Sequence, residues 1–426
     1  KPNNAESYNN IGIALKDQGK LNESVDIYKR VLSIKPDYVD AYYNMGIVLA
    51  ELGKLGEAIE AYNNALSIKP DYAVAYNNMG IALQDQGKLE EAMEAYHKAL
   101  LTKPDFEEAW CNGAEALEKW NKLEQLKIWL EKAFSSFKKV PTDLKFMKSK
   151  LLWRNKLFID ASNLLSTIKF ENISEFRKCN YLQLKARCFE KYEDYEKAYK
   201  CYAKINYLTK KSQDYLLYDN EQYLQILKNK LDKLRANSLA ISDVNTMDNT
   251  DFTPTFLVGF PRSGTTLLDT ILRSHSKIKV VEEKPLIHST KNFLNKSGYD
   301  DFIDKFIPKY VNIEAKKVYA EEFKKYADIY GSSSVFIDKL PLNLLEAPLI
   351  YQLYPDAKFI LALRHPFDTI FSCWMHKFKL NAAMANMVDI EQIVKFYCVS
   401  MEIFKTCRTN YNLNVHEIRY EDLINN

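Results

Sequence analysis

The chain has 426 residues, 47% of them hydrophobic and 27% charged, with a formal net charge of +3 at pH 7. That length and balance suit two or three globular domains, each able to bury a core, and so small a net charge names no partner. Seven cysteines without a CxxC pair or metal-ligand spacing argue against a disulfide framework, and no apolar run nears the ~18 residues a bilayer span needs.

The first hundred residues repeat. Gly12, Gly46 and Gly80 are 34 apart, as are Pro36, Pro70 and Pro104. Tyr8, Tyr42 and Tyr76 stand four before each glycine, and Leu15, Leu49 and Leu83 three after. Ser24, Ala58 and Ala92 lead to Tyr28, Tyr62 and Tyr96, and then to Val31, Ala65 and Ala99. Small residues let two antiparallel helices approach closely, while aromatic and aliphatic residues at helical spacing fill the seam. DQGKL, ELGKL and DQGKL supply the turns, and the KPD triplets end each second helix. These residues resemble the tetratricopeptide repeat (TPR), which implies an α-helical solenoid over 1–138. A fourth, degenerate copy keeps Trp110, Ala114 and Leu117 but has Lys138 in place of proline.

Over 139–235 the helical pattern continues with divergent repeats, Ala198 and Tyr202 in CFEKYEDYEKAYKCYAKI keeping the frame. Two uses of the repeats stay open: a scaffold that packs on the next domain or forms a homodimer, or a groove that holds a protein or peptide acceptor. The stretch 236–254 loses the helical period and gathers Asn, Asp, Ser and Thr, which predicts a linker.

Beyond it the texture changes. Strands are expected at 255–259, 334–337, 358–363 and 415–419, with helices near 265–274, 342–353 and 366–378, so a central parallel sheet in an α/β three-layer domain is predicted over 255–426. The first strand runs into Pro261-Arg262-Ser263-Gly264-Thr265-Thr266 and then an apolar-periodic helix. Unpaired N–H groups at a helix start, the helix dipole and a glycine that admits close approach suit a phosphate. Gly259 and Gly264 have the spacing of a nucleoside-triphosphate loop, but Thr265 stands where its lysine would be, which argues against a triphosphatase or nucleotide kinase. A second turn, KFILALRHPFDTIFSCW, sets Arg364 at a strand mouth and Ser372 eight residues on, an arginine fork and a hydroxyl that could meet one anion.

PRSGTTL resembles the sulfotransferases that use 3′-phosphoadenosine 5′-phosphosulfate (PAPS), and most closely their tyrosylprotein branch. The resemblance, which covers about 252–426, implies a P-loop-like sulfotransferase fold and a metal-free transfer of a sulfuryl group to a hydroxyl, tyrosine being one acceptor. It implies that Arg262, Ser263, Gly264, Thr265 and Thr266 wrap the 5′-phosphosulfate and that Arg364 and Ser372 hold the 3′-phosphate, with Tyr420 of IRYEDLI closing the pocket. By the same resemblance Glu283, the second acid of KVVEEKP, is the base, Lys339 of FIDKLPLN neutralises the leaving oxygen, and Arg262 faces the sulfonate. Arg-His-Pro at 364–366 departs from the family's more usual Arg-Asp-Pro or Arg-Asp-Gly. A scaffold with a lapsed enzyme domain is the alternative, though every motif residue is present. Glu282 reads as a solvated neighbour of Glu283, and His275 as a helix-ending residue. The sequons at Asn22, Asn172 and Asn295 carry little weight in a chain expected to be cytoplasmic. The start at Lys1 and the stop at Asn426 suggest a fragment in which the last domain is C-terminally incomplete.

Overall fold

In a computed structural model of the protein, residues 4–236, 253–327 and 335–425 are described. The chain divides into two compact units, 1–205 and 206–426.

The first unit is built of helical hairpins. The sequence repeats become α1 (Ala5–Asp17) with α2 (Leu21–Ile34), α3 (Val39–Glu51) with α4 (Leu55–Ile68), and α5 (Ala73–Asp85) with α6 (Leu89–Thr102). A β-carbon added to Gly12, Gly46 or Gly80 would sit 2.6 Å from the ring of Tyr28, Tyr62 or Tyr96, so the glycine is what lets each tyrosine lie flat on the facing helix. Ser24 Oγ donates to Gly12 O (2.7 Å) across the first seam. The turns place Gly19, Gly53 and Gly87 at φ of 74°, 74° and 83°, where a side chain is costly.

The fourth hairpin, α7 (Glu107–Lys119) with α8 (Leu123–Ser136), again sets a glycine against an aromatic ring. Gly113 packs against the partner helix beside the buried Ala114, and a β-carbon on it would lie 2.4 Å from Trp129. Two further hairpins follow, α9 (Thr142–Arg154) with α10 (Phe158–Ser166), and α11 (Glu175–Lys191) with α12 (Tyr195–Lys210). Their turns use Lys156 and Glu193 in the left-handed conformation that Asn121 adopts in the fourth and glycine in the first three. Side-chain amides tie successive hairpins together: Asn44 to Asn9 (3.3 Å), Asn78 to the Tyr43 hydroxyl (3.1 Å) and Asn112 to Asn77 (3.0 Å).

The second unit begins with the end of α12, α13 (Gln213–Leu216) and α14 (Asn220–Ala236), ahead of the sheet. Most of the predicted linker, 237–252, lies outside the described residues. Then come β1 (Thr255–Gly259), α15 (Thr265–Arg273), β2 (Ile278–Glu282), α16 (Leu286–Lys296), α17 (Lys309–Lys324), β3 (Val335–Lys339), α18 (Ala347–Leu353), β4 (Lys358–Leu363), α19 (Pro366–Trp374), α20 (Ile390–Asn410), β5 (Asn414–Arg419) and α21 (Tyr420–Asn425). The five strands form a parallel sheet in the order β2-β3-β1-β4-β5.

Four of these strands were expected. β2 was not, since its only well-buried residue is Val281, and an edge strand with so little apolar face gives a weak alternation. The helix expected over 366–378 ends at Trp374, and the one expected from 342 starts as a 3₁₀ turn at Pro341–Glu346. At the sheet centre Phe256, Leu257 and Val258 are fully buried, and Leu257 packs with Leu268, Ile337 and Ala362. That core fixes β1 between β3 and β4, so the loop after β1 opens where neighbouring connections diverge. No helix among the described residues is long and apolar enough to cross a membrane.

Candidate active site

All five strands run the same way, so their carboxyl ends share one edge, and the loop 261–266, Glu283, Lys339, Arg364 and Tyr420 lie at or just beyond it. Gly259 ends β1 under tight constraint: a β-carbon there would lie 2.5 Å from Ser263 Oγ and 2.7 Å from Ala362 O. The loop then turns sharply, with Arg262 at φ 69° and Gly264 at φ 99° as the residue before α15. A left-handed non-glycine residue costs about 1–3 kcal/mol, and such strain collects at functional sites. A β-carbon on Gly264 would meet Tyr420 Cδ2 at 2.6 Å, so this glycine lets Tyr420 at the end of β5 close over the loop.

The second turn supports the first. Arg364, just past β4, donates through Nη1 to Arg262 O (3.4 Å) and lies over the Tyr420 ring at 4.9 Å. Its Nε is buried without a hydrogen bond, 4.0 Å from Asp368, an ion pair too long to satisfy it. Ser372 Oγ accepts from Arg262 Nε (3.1 Å), so the hydroxyl of the second turn meets the arginine of the first. Cys373 Sγ donates to Pro261 O (3.2 Å) beneath the loop, and burial raises that thiol's pKa. Ser263 Oγ is buried without a partner.

Facing this loop is a cluster of opposite charges. β2 and β3 pair in register, Glu282 opposite Lys339, and Glu283 N donates to Lys339 O (2.7 Å). The Lys339 side chain is fully buried and donates to Glu283 Oε1 (2.6 Å) and Glu282 Oε1 (3.1 Å). Glu283 turns away from the strand at φ 49°. The Lys339 ammonium, with Arg273 adding to it, holds the Glu282 carboxyl below the usual carboxylate range despite partial burial. Beside Lys339 on β3, Asp338 faces the other side of the sheet, wholly buried and bonded to the Tyr319 hydroxyl (2.9 Å); burial raises its pKa to about 7.

Between the two sets lies a cleft of ≈ 340 Å³ lined by Arg262, Gly264, Thr265, Thr266, Glu283, Arg364 and Tyr420. His376 and Phe378 also line it and were missed from sequence, because the reading carried α19 through 378 where the chain is a loop. Lys339 and Ser372 stand behind this lining and support it through their bonds to Glu283 and Arg262, while Ser263 lies buried outside it. A phosphate group fits this donor set: N–H groups and hydroxyls at a helix start, a glycine cradle, and buried polar atoms of Ser263 and Arg364 with unused hydrogen-bonding capacity.

Comparison with known proteins agrees with both halves. Residues 254–426 match the sulfotransferase family, 14–53 and 48–87 match the TPR repeat, and 73–106 match the tetratricopeptide repeat. Nodulation protein NoeE of Sinorhizobium fredii is 31% identical over 121 residues, 26% of this chain and 29% of that protein. An uncharacterized protein of Aquifex aeolicus is 26% identical over 197 residues, 45% of this chain and 25% of that protein. The chain thus spans between a quarter and a third of the length of these relatives. Among solved structures, Pseudomonas aeruginosa pilF has a TM-score of 0.41 at 20% identity, covering 49% of this chain and 93% of that one. The type IV pilus biogenesis factor PilW has 0.40 at 18%, covering 49% and 95%.

Proposed function

Starting from tetratricopeptide repeats in the N-terminal unit and a sulfotransferase-family domain over 254–426, we propose that this protein transfers a sulfuryl group from PAPS to an acceptor hydroxyl. The observation that carries the reading is a phosphate-type loop that shares one cleft with Glu283, a carboxylate ion-paired to a buried lysine behind the lining. PAPS supplies an activated sulfuryl group on a phosphate leaving group. Arg262, Ser263, Gly264, Thr265 and Thr266 would hold its 5′ end, and Arg364 with Ser372 its 3′-phosphate, under the ring of Tyr420.

The chain's own groups then have distinct work. Glu283, which lines the cleft, would take the proton of an acceptor hydroxyl. Lys339 is a fixed cation in a dry position, where charge stabilisation is stronger than in water and needs no reorganisation. Arg262, held by Ser372, keeps its guanidinium at the loop and adds a second cation. The protein needs to make no covalent intermediate, because positioning and charge stabilisation suffice for an in-line displacement. A tyrosine hydroxyl as acceptor is supported by the resemblance of PRSGTTL and the Glu-Glu pair, and by Phe378 and His376 on the cleft wall. The repeats would bind a protein or peptide partner, the use to which a helical solenoid of this kind is suited.

The test is direct. Calorimetric titration of full-length protein with PAP, the desulfated nucleotide, should show micromolar binding. Incubation with PAPS and candidate acceptors should add ~80 Da, the mass of a sulfuryl group. Arg262→Ala should lower turnover about a hundredfold with an unchanged melting temperature. Absence of PAP binding by the wild-type chain would sink the reading.

A further inference from the structure

The sequence reading gave Glu282 no role, yet it is the centre of a charge chain. Asp269 and Arg273 are four apart on α15, and Arg273 Nε donates to Asp269 Oδ1 (2.5 Å). Arg273 Nη2 donates onward to Glu282 Oε2 (3.2 Å), and Glu282 presents its other oxygen to Lys339. Lys339 in turn reaches Glu283. The signs alternate from Asp269 through Arg273, Glu282 and Lys339 to Glu283, linking the helix that starts at the phosphate loop to the candidate base.

We propose that Glu282, anchored by Arg273 and Asp269, is a positioning residue that divides the Lys339 ammonium between itself and Glu283 and so sets the basicity of the cleft carboxylate. The inference rests on the function proposed above. Its physical content is a competition: one buried ammonium serves two carboxylates, at 2.6 and 3.1 Å, and a third group decides how strongly the competitor pulls. Arg273 neutralises one side of Glu282 and so moderates that pull. The groups facing the competition are Arg273 and Asp269 from α15, Glu282 from β2, Lys339 from β3, and Arg262, Arg364 and His376 on the cleft wall. Asp338 faces the other way, into the Tyr319 contact.

Two substitutions should move the enzyme in opposite directions. In Glu282→Gln, Lys339 has a single carboxylate partner and Glu283 loses a like-charged neighbour. The acid limb of the kcat/KM profile should then shift to lower pH by about half a unit, a modest value because both carboxylates are partly solvated. In Arg273→Gln, the uncompensated Glu282 draws Lys339 away and repels Glu283, so the limb should shift to higher pH by a similar amount. Glu282→Asp should restore the wild-type limb in part. A residue that only kept the fold would shift neither limb, or would lower rate and melting temperature together.

The measurement is PAP release from PAPS by the full chain between pH 3.5 and 9, with phenol and water as acceptor probes, alongside calorimetric PAP affinity for each variant. Opposite shifts with PAP affinity kept within about threefold support the proposal. Superimposable profiles, or shifts in one direction, overturn it while leaving the sulfuryl-transfer reading intact. A wild-type chain that fails to bind PAP, or binds it and releases none from PAPS, counts instead against that reading, and the proposal falls with it.

Discussion

A single buried carboxyl shows how much chemistry one residue can carry. Asp338 is enclosed, accepts one hydrogen bond from Tyr319, and has its pKa raised to about 7, whereas an unfolded chain releases that proton near 4. As pH rises from about 4 to 7 the unfolded state binds fewer protons than the native state, so stability falls across that window and levels off above it. Urea midpoints of the wild-type chain should therefore decline between pH 4.5 and 7.5. Asp338→Asn should remove that slope; a slope unchanged in the variant would assign the pH dependence to other groups. The strained residues Arg262 and Glu283 make a related point. Both lie in the left-handed region, both line the cleft, and no motif foretells a positive φ at an arginine or a glutamate.

At the scale of elements, the helical hairpin is held by one contact repeated along the chain. Gly46 faces Tyr62 so closely that a methyl group would sit 2.6 Å from the ring. Gly46→Ala should cost about 1–3 kcal/mol, read as a lower urea midpoint by far-ultraviolet circular dichroism, because an overpacked seam must shift. Later hairpins keep the turn but lose its glycine, since Asn121, Lys156 and Glu193 adopt the same conformation at some strain. That substitution is why the period fades in the sequence after the third copy while the helices continue. The strand β2 was illegible for a different reason. Lys279 and Glu282 are exposed and only Val281 is well buried, so neither alternation nor an apolar run marks it. Yet this strand places Glu282 opposite Lys339 and delivers Glu283 to the cleft.

At the scale of the molecule, α14 precedes the 236–254 stretch in sequence but belongs to the second compact unit. Its Leu224, Leu227, Leu231 and Leu234 are buried, and Tyr223 meets Phe396 of α20 edge-on at 5.8 Å. Asn410 donates to Leu234 O (2.6 Å), and Lys233 bridges Asp301 (2.5 Å) and Asp304 (2.8 Å). A fragment of residues 206–426 should therefore melt cooperatively, while one of residues 254–426 should aggregate or melt at lower temperature because it uncovers the surface that these leucines pack against. Equal melting of the two fragments in calorimetry would show that α14 contributes nothing to that unit.

The sequence by itself determined the local features: a 34-residue period with its glycine–tyrosine seams, four of the five strands, and two strand-to-helix turns chemically suited to phosphate. Each of these is written in neighbouring residues, so spacing and residue type reveal it. Only the tertiary structure decided what meets what. The parallel order β2-β3-β1-β4-β5 brings residues from 262, 283, 339, 364 and 420 to one edge, and no spacing along the chain encodes that. It also turned Lys339 from a lysine near a strand end into a fully buried cation shared by two acids, and Glu282 from a solvated neighbour into their link to α15. Burial and partnership are properties of the folded sheet: they arise when distant segments exclude water from one another, which the order of residues along a strand does not record.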